Sequence, residues 1–254
     1  MLSKVLGIES GDVISLVGAG GKTTTMFRLA QELSQLSSEK ILTTTTTKIL
    51  KPQNTQTDEL MICKRLDLLL KELSLNSEQR LTAAKKVING NKLVGFEPEW
   101  IDRVVNEYQD EEITIIVEAD GSACKDFKIP NRQEPVIPVS TDLLLPVVGC
   151  RIVNKVVNDL NIHRFSLLNK INQKFVTGQK VTKDIIVETL LSTEGYDLLA
   201  KQNEYEVIPL LNQVDTKERY SFALEIAKDL VKAGIKKVLL TAVKRKKSII
   251  KVVE

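Results

Sequence analysis

The sequence predicts an α/β fold of the three-layer αβα P-loop class, with a mainly parallel sheet and a small helical insertion. Three observations favour it: a glycine-rich segment between an apolar run and a helical pattern, a second apolar run that ends in acids, and the alternation of strand-like with helical segments. We expect a single domain over residues 1–254. Residues 151–203, whose periodicity is weak, are predicted to form a helical subdomain or lid within it.

The glycine-rich segment is residues 13–28, which read VISLVGAGGKTTTMFR. An apolar strand, a glycine loop, a Lys-Thr pair and a helical pattern follow one another, which is the layout of a phosphate-binding loop. Glycines let backbone N–H groups crowd around a phosphate, and the helix N-terminus adds partial positive charge. The predicted nucleotide-binding residues of this loop are Gly18, Ala19, Gly20, Gly21, Lys22, Thr23 and Thr24.

Two side chains of the loop have predicted chemical roles. Lys22 is expected to reach the outer phosphates and to act in catalysis, and the Thr23 hydroxyl is expected to bind Mg²⁺. The strict G-x-x-x-x-G-K-[ST] pattern is not met, because Leu16 stands at the place of its first glycine. The shorter form Gly-x-x-Gly-Lys-Thr-Thr resembles the ATP loop of the Mur ligases. The competing interpretation is a glycine-rich strand-to-helix turn with a chance Lys-Thr pair.

A second apolar run, residues 113–117, ends in Glu118-Ala119-Asp120-Gly121. Acids at the end of a buried strand hold Mg²⁺ or orient a water in nucleotide sites. Residues two apart in a strand face the same side, so Glu118 and Asp120 are predicted metal ligands, with Asp120 also catalytic. An acidic turn is the alternative.

Two lysines are candidate substrate contacts. Lys48 follows the predicted strand Lys40–Thr44 and a run of threonines, and Lys128 lies in the polar, proline-containing segment 122–138. Ligands of parallel sheets lie beyond the carboxyl ends of the strands, which favours Lys48. A polar loop that follows the acidic pair suits an active site, which favours Lys128. A hydroxyl helix cap after the strand and a solvated connecting loop are the competing interpretations.

A third motif, Asn212-Gln213-Val214-Asp215, follows a late apolar run. It resembles the N-K-x-D motif of GTPases, in which the aspartate accepts two N–H groups of guanine. Asn212 and Asp215 are therefore predicted to bind the base, although Gln213 replaces the lysine. Asparagine and aspartate are also ordinary turn formers, so the choice between ATP and GTP rests on this motif alone.

The other elements follow from local patterns. Apolar spacing predicts a helix that starts at Thr57-Asp58 and carries Leu60, Cys63 and Leu66 inward. Asn89-Gly90 between apolar runs predicts a β-hairpin. Further predicted elements are a helix from Pro98, a helix from Val181-Thr182 to Leu191, a helix over Thr216–Gly234, and a terminal hairpin of 237–243 with 249–253.

Composition limits the function classes. With 36 Lys and Arg against 33 Asp and Glu, the formal net charge of +3 argues against a general nucleic-acid binder. No apolar run approaches the roughly 20 residues that span a bilayer, and the N-terminus lacks a signal-peptide core. The three cysteines, Cys63, Cys124 and Cys150, have no metal-type spacing. We expect a cytoplasmic protein with no membrane partner.

An ordered series of motifs resembles one family. VGAGGKTTTMFRLA, TTTTTK, KLVGFEP, VEADGS, FKIPNRQEPVIP and HRF at His163 occur in the order typical of the YqeC family, which is associated with selenium-dependent molybdenum hydroxylases as accessory proteins. HRF departs from the expected H-R-P. The resemblance implies a P-loop nucleotide-binding protein whose partners are a molybdenum hydroxylase or its cofactor-maturation proteins.

The sequence thus predicts an Mg²⁺-dependent protein that binds ATP or GTP and acts as an NTP hydrolase in maturing such a hydroxylase. A kinase or Mur-like ligase that acts on a small acceptor is an alternative enzyme. A nucleotide-gated scaffold without turnover is an alternative of another class.

Overall fold

The computed structural model describes residues 1–108 and 113–254, which form two compact units. The first unit comprises Met1–Leu16, Thr23–Gly121 and Val136–Leu143, and the second comprises Val17–Lys22, Ser122–Pro135 and Leu144–Glu254. The expected single domain over 1–254, with a subdomain at 151–203, stays a prediction.

Helices and strands alternate along the chain. The helices are α1 Leu2–Leu6, α2 Lys22–Ser34, α3 Leu66–Leu75, α4 Pro98–Glu107, α5 Leu168–Ile171, α6 Lys183–Leu191, α7 Leu198–Lys201 and α8 Lys217–Lys232. The strands are β1 Val13–Gly18, β2 Lys40–Thr45, β3 Lys48–Leu50, β4 Glu59–Ile62, β5 Arg80–Ala84, β6 Lys86–Ile88, β7 Lys92–Val94, β8 Ile113–Glu118, β9 Phe127–Lys128, β10 Leu143–Gly149, β11 Ile162–His163, β12 Glu206–Val207, β13 Leu210–Asn212, β14 Val238–Thr241 and β15 Ile249–Val253.

The first unit is built on parallel strands in the order β1-β8-β2-β5-β4. Strands β1 and β8 are buried along their whole length, as their mostly apolar sequences predict. A small antiparallel sheet in the order β3-β7-β6 completes the unit. Its β6–β7 hairpin turns at Asn89 and Gly90, both with positive φ, so the predicted hairpin is confirmed.

Three strands of the first unit end together. Glu118, the last residue of β8, is in register with Leu16 of β1 on one side and with Thr45 of β2 on the other. The Thr45 hydroxyl donates to the Glu118 carbonyl oxygen at 2.6 Å. Because all three strands run in the same direction, their carboxyl ends lie at one edge, where ligands of such sheets bind.

The second unit has its own strands in the order β10-β13-β14-β15. β10, β13 and β14 are parallel, whereas β15 returns antiparallel to β14, as the predicted terminal hairpin requires. A short parallel pair, β9 with β11, joins Phe127 to Ile162 and Lys128 to His163.

The α/β class with mainly parallel strands and flanking helices is confirmed, and it is consistent with the three-layer αβα prediction. The predicted helices at Pro98, at Lys183–Leu191 and after Thr216 are present. Thr216 caps α8, because its hydroxyl accepts the Arg219 N–H at 3.3 Å. No helix in the described ranges is both long and apolar enough to cross a bilayer.

One predicted element is wrong. The segment after Thr57 does not begin a helix but forms β4, which pairs in parallel with β5, and α3 starts only at Leu66. The Thr57 hydroxyl donates to the Arg80 carbonyl oxygen at 2.9 Å, and Asp58 forms an ion pair with Arg80. These contacts with β5 favour a strand at a place where the local spacing of apolar residues favours a helix.

Candidate functional site

The glycine loop between β1 and α2 is closely packed within the second unit. Gly18 and Gly20 have φ angles of +93° and +86°, which side chains rarely tolerate. A Cβ atom on Gly18 would lie 2.3 Å from the Val147 carbonyl oxygen, and one on Gly20 would lie 2.2 Å from the Gly149 nitrogen. Both positions therefore require glycine because the backbone of β10 lies against the loop.

Hydrogen bonds fix the shape of this loop. The Ala19 N–H donates to the Val147 carbonyl oxygen at 2.8 Å, and the Gly20 N–H donates to the Lys125 carbonyl oxygen at 3.0 Å. The Gly20 carbonyl oxygen accepts the Asn212 side-chain amide at 3.0 Å. The loop is thus held by β10, by the segment after Asp120 and by the end of β13.

Lys22 is the first residue of α2, and its side chain turns back onto the loop. Its ammonium group donates to the Gly18 carbonyl oxygen at 2.5 Å, and the residue is only 2% exposed. A buried ammonium beside a helix N-terminus concentrates positive charge at the place where the predicted phosphates would lie.

Thr23 and the predicted acids belong to the first unit. The Thr23 hydroxyl donates to the Glu118 carboxylate oxygen Oε2 at 2.6 Å. Glu118 is 5% exposed and Asp120 is completely buried, whereas Thr24 in the next position is half-buried. The hydroxyl and the carboxylate that the sequence assigned to one metal site are therefore in direct contact.

The donor set fits one type of metal. Among the described residues, no group of three or more His, Cys, Asp or Glu side chains is placed to hold an ion. A buried carboxylate beside a hydroxyl offers few, hard oxygen ligands, which suits Mg²⁺ because that ion keeps several waters and takes phosphate oxygens. Thr23 and Glu118 are the residues that would hold it, with Asp120 close along the chain.

The predicted base-binding pair is divided between two environments. Asn212 is buried, and its side-chain oxygen accepts the Thr241 hydroxyl at 3.2 Å and the Val243 N–H at 3.1 Å. Its amide nitrogen is bound to the Gly20 carbonyl oxygen, as described above, so the side chain links the glycine loop to Thr241 of β14 and to Val243.

Asp215 is exposed, unlike Asn212. Its carboxylate pairs with Arg219, and its carbonyl oxygen accepts the Arg245 guanidinium at 3.0 Å. It lies on the wall of an open cleft of about 410 Å³ within the second unit. The cleft is lined by residues 214–217, Tyr220, Ser221, Arg245 and Ile250.

The two candidate lysines differ in environment. Lys48 is exposed on β3, where it pairs with Val94 of β7. Lys128 is completely buried in the second unit, and its ammonium donates to the Glu134 carboxylate at 2.8 Å. The same carboxylate oxygen accepts the Arg164 guanidinium at 2.7 Å.

Sequence reasoning missed Glu134 and the pair Asp126–Gln213. The pKa of Glu134 falls to about 2, because its hydrogen bonds and ion pairs with Arg164 and Lys128 outweigh the opposing effect of burial. The Gln213 side-chain amide donates to Asp126 Oδ1 at 2.9 Å, and the Asp126 carbonyl oxygen accepts the Gly149 N–H. In the sequence, Glu134 is marked only by the lysines and the arginine that precede it in the proline-containing segment 122–138.

Comparison with known proteins agrees with this arrangement of motifs. A family model described as YqeC protein matches residues 14–166, which include the glycine loop, the acidic pair and Glu134. The chain belongs to the YqeC family.

A curated relative supports the membership. The uncharacterized protein YqeC of Escherichia coli (strain K12) is 38% identical over 154 residues, which is 61% of this chain. The aligned part spans 58% of that relative's length. Asn212 and Asp215 of this YqeC-family chain lie beyond the residues that the family model matches.

Proposed function

We propose that this YqeC-family chain is an Mg²⁺-dependent P-loop protein that binds and hydrolyses a nucleoside triphosphate. The observation that carries the proposal is the contact of the Thr23 hydroxyl with the buried Glu118 carboxylate, at the point where the glycine loop enters α2. A hydroxyl beside an acid at the end of a parallel strand is the donor pair that P-loop proteins offer to Mg²⁺.

The phosphate part of the site follows from the loop. The Ala19 and Gly20 N–H groups are already bonded to the Val147 and Lys125 carbonyl oxygens, so we assign the phosphates to the N–H groups at the N-terminus of α2, from Lys22 to Thr24. Lys22 would stabilise the charge that develops on the leaving oxygens. Asp120, buried just beyond β8, is assigned to orienting the attacking water.

The base is assigned to the cleft at Asp215. Asn212 touches the loop at Gly20, and Asp215 follows three residues later, which is at most about 10 Å of extended chain. The start of the cleft is therefore no farther from Asn212 than about one nucleoside length. Tyr220 and Ile250 provide apolar surface for a planar ring, and the Asp215 carboxylate favours guanine through its two N–H donors.

The biological role is proposed from the family resemblance. Hydrolysis would drive the transfer of selenium, sulfur or cofactor to an apo molybdenum hydroxylase in the cytoplasm. Lys48, exposed on β3, is the proposed contact with the substrate or partner. Lys128 is completely buried in its ion pair with Glu134, so we assign it to holding that segment in place rather than to direct contact.

A thermal-shift panel of ATP, GTP, CTP and their diphosphates with Mg²⁺ tests nucleotide binding. Ligand at about 100 times Kd should stabilise the parent protein by about 2.7 kcal/mol by mass action. Lys22→Ala should lose this effect, whereas Lys71→Ala, which removes an exposed lysine of α3, should keep it. Absence of any shift in the parent protein would remove the proposal, and a shift largest with GTP would support the role of Asp215.

Turnover and biological role need separate measurements. Release of inorganic phosphate without any acceptor would support hydrolysis, whereas release of the diphosphate only with an added acceptor would favour a kinase or ligase. Deletion of the gene should lower the activity of a selenium-dependent molybdenum hydroxylase in a host that makes one. Unchanged hydroxylase activity in the deletion strain would refute the proposed accessory role, but it would leave the proposal of nucleotide binding intact.

A further inference from the structure

We infer that a basic cleft in the second unit binds a small organic anion through its phosphate or carboxylate group. The basic cleft has a volume of about 240 Å³ and is lined by residues 130–132, Leu167, Lys170 and residues 193–195. This site is separate from the proposed nucleotide cleft, with which it shares no lining residue.

The first wall of the basic cleft is a rigid turn. The Asn131 side-chain oxygen accepts the Gln133 N–H at 3.0 Å, and the Asn131 carbonyl oxygen accepts the Glu134 N–H at 3.2 Å. Glu134 is in turn fixed by its ion pairs with Lys128 and Arg164. Hydrogen bonds therefore fix the backbone on both sides of Arg132.

The opposite wall is equally constrained. The Gly195 N–H donates to the Ser192 carbonyl oxygen at 2.8 Å, and the Tyr196 N–H donates to the Thr189 carbonyl oxygen at 2.9 Å. A Cβ atom on Gly195 would lie 2.0 Å from the Thr189 carbonyl oxygen. Little backbone ordering then remains to be done when a ligand enters between the walls.

The backbone of the cleft is held by hydrogen bonds, whereas its cationic side chains are exposed to a ligand. Arg132 and Lys170 are exposed, and neither forms an ion pair with any residue in the ranges 1–108 and 113–254. Glu194 supplies the opposing charge, so the lining carries a net charge of +1, from two cations and one acid. A guanidinium and an ammonium beside the neutral donors of Asn131 and Thr193 match an oxyanion with several acceptor oxygens.

The size of the cleft limits the ligand. Its volume equals that of about eight water molecules, which is enough for a small phosphorylated or carboxylic acid. It is too small for a helix, whose diameter with side chains is about 10 Å. A small-molecule anion is therefore the occupant that charge and volume both favour.

Titration of inorganic phosphate and of succinate into ¹⁵N-labelled full-length protein tests the inference. Saturable shifts of the amide signals of Arg132, Thr193 and Gly195 are expected for at least one of the two anions, and the tighter binder identifies the preferred group. Arg132→Ala and Lys170→Ala should each raise Kd about tenfold, which corresponds to the loss of one charged hydrogen bond. Lys174→Ala, which removes an exposed lysine outside the cleft, should leave Kd unchanged.

The same spectra separate this inference from the proposed nucleotide site. Phosphate that binds the glycine loop shifts the amide signals of Gly18–Thr24, and those shifts should be insensitive to Arg132→Ala. Dispersed spectra confirm that each variant is folded. The inference is overturned if neither anion produces saturable shifts at Arg132, Thr193 and Gly195, or if Lys174→Ala weakens binding as much as Arg132→Ala does.

Discussion

Replacing Gly20 with alanine should destabilise the protein more than an ordinary glycine substitution does. The new Cβ atom would lie 2.2 Å from the Gly149 nitrogen, 2.3 Å from Gly149 Cα and 2.9 Å from the Asp126 carbonyl oxygen. Carbon atoms pack at about 3.5–4.0 Å, so backbone atoms must move by about 1 Å. These backbone atoms belong to β10 and to the segment after Asp120, and neither can yield by changing a rotamer.

The magnitude has two parts. Strain at φ of +86° costs about 1–2 kcal/mol for a residue with a Cβ, and forced repacking costs about 1–3 kcal/mol. The loss of glycine freedom in the unfolded chain offsets about 0.4–1 kcal/mol. We expect a net loss of about 2–4 kcal/mol for Gly20→Ala.

Gly178 provides a matched control. Its φ of +89° is nearly that of Gly20, but a Cβ atom there would meet nothing within 4 Å. Gly178→Ala should therefore show the strain alone, at about 1 kcal/mol. Urea unfolding of the three proteins measures the difference as a shift of the midpoint at constant m-value. Equal losses in the two variants would refute the close packing of the loop against β10.

Three further predictions concern individual side chains. Glu134→Gln should cost about 3 kcal/mol at pH 7, since Lys128 loses its carboxylate partner. The folded pKa of Glu134 is lowered from 4.5 to about 2, so this stabilisation is complete above pH 4.5 and is lost as pH falls toward 2. A stability difference between the parent and Glu134→Gln that stays constant down to pH 2 would contradict this prediction. Asn212→Ala should cost about 2 kcal/mol in urea unfolding, because it removes the brace on Gly20, and a loss below about 0.5 kcal/mol would show that the brace is dispensable. Thr23→Val should cost about 1–2 kcal/mol, whereas Thr23→Ser should retain the bond to Glu118, and equal losses would argue against that bond.

The strands and the loop could be predicted from the sequence because their signals are local. The apolar runs at 13–17 and 113–117 are long enough to be buried strands, and three glycines within the four residues before Lys22 favour a tight loop. The contact of Thr23 with Glu118 was also within reach, since the carboxyl ends of parallel strands meet at one edge.

The remaining features depend on distant partners. β4 forms because Thr57 and Asp58 bind Arg80, more than twenty residues away, and apolar periodicity carries no information about such a partner. Glu134 acquires its low pKa from Arg164, thirty residues along the chain. Asn212 has the composition of a turn former, and only the fold shows that its side chain reaches Gly20, 192 residues away in sequence.

The brace at Asn212 has a consequence for where this chain can be cut. The family model ends at residue 166, but the amide that fastens the loop is supplied by β13 and is itself anchored by Thr241 and Val243, close to the C-terminus. A fragment truncated after the matched region would keep every residue of the glycine motif and lose the support behind it. Minimal expression pieces of this protein should therefore extend at least through Val243.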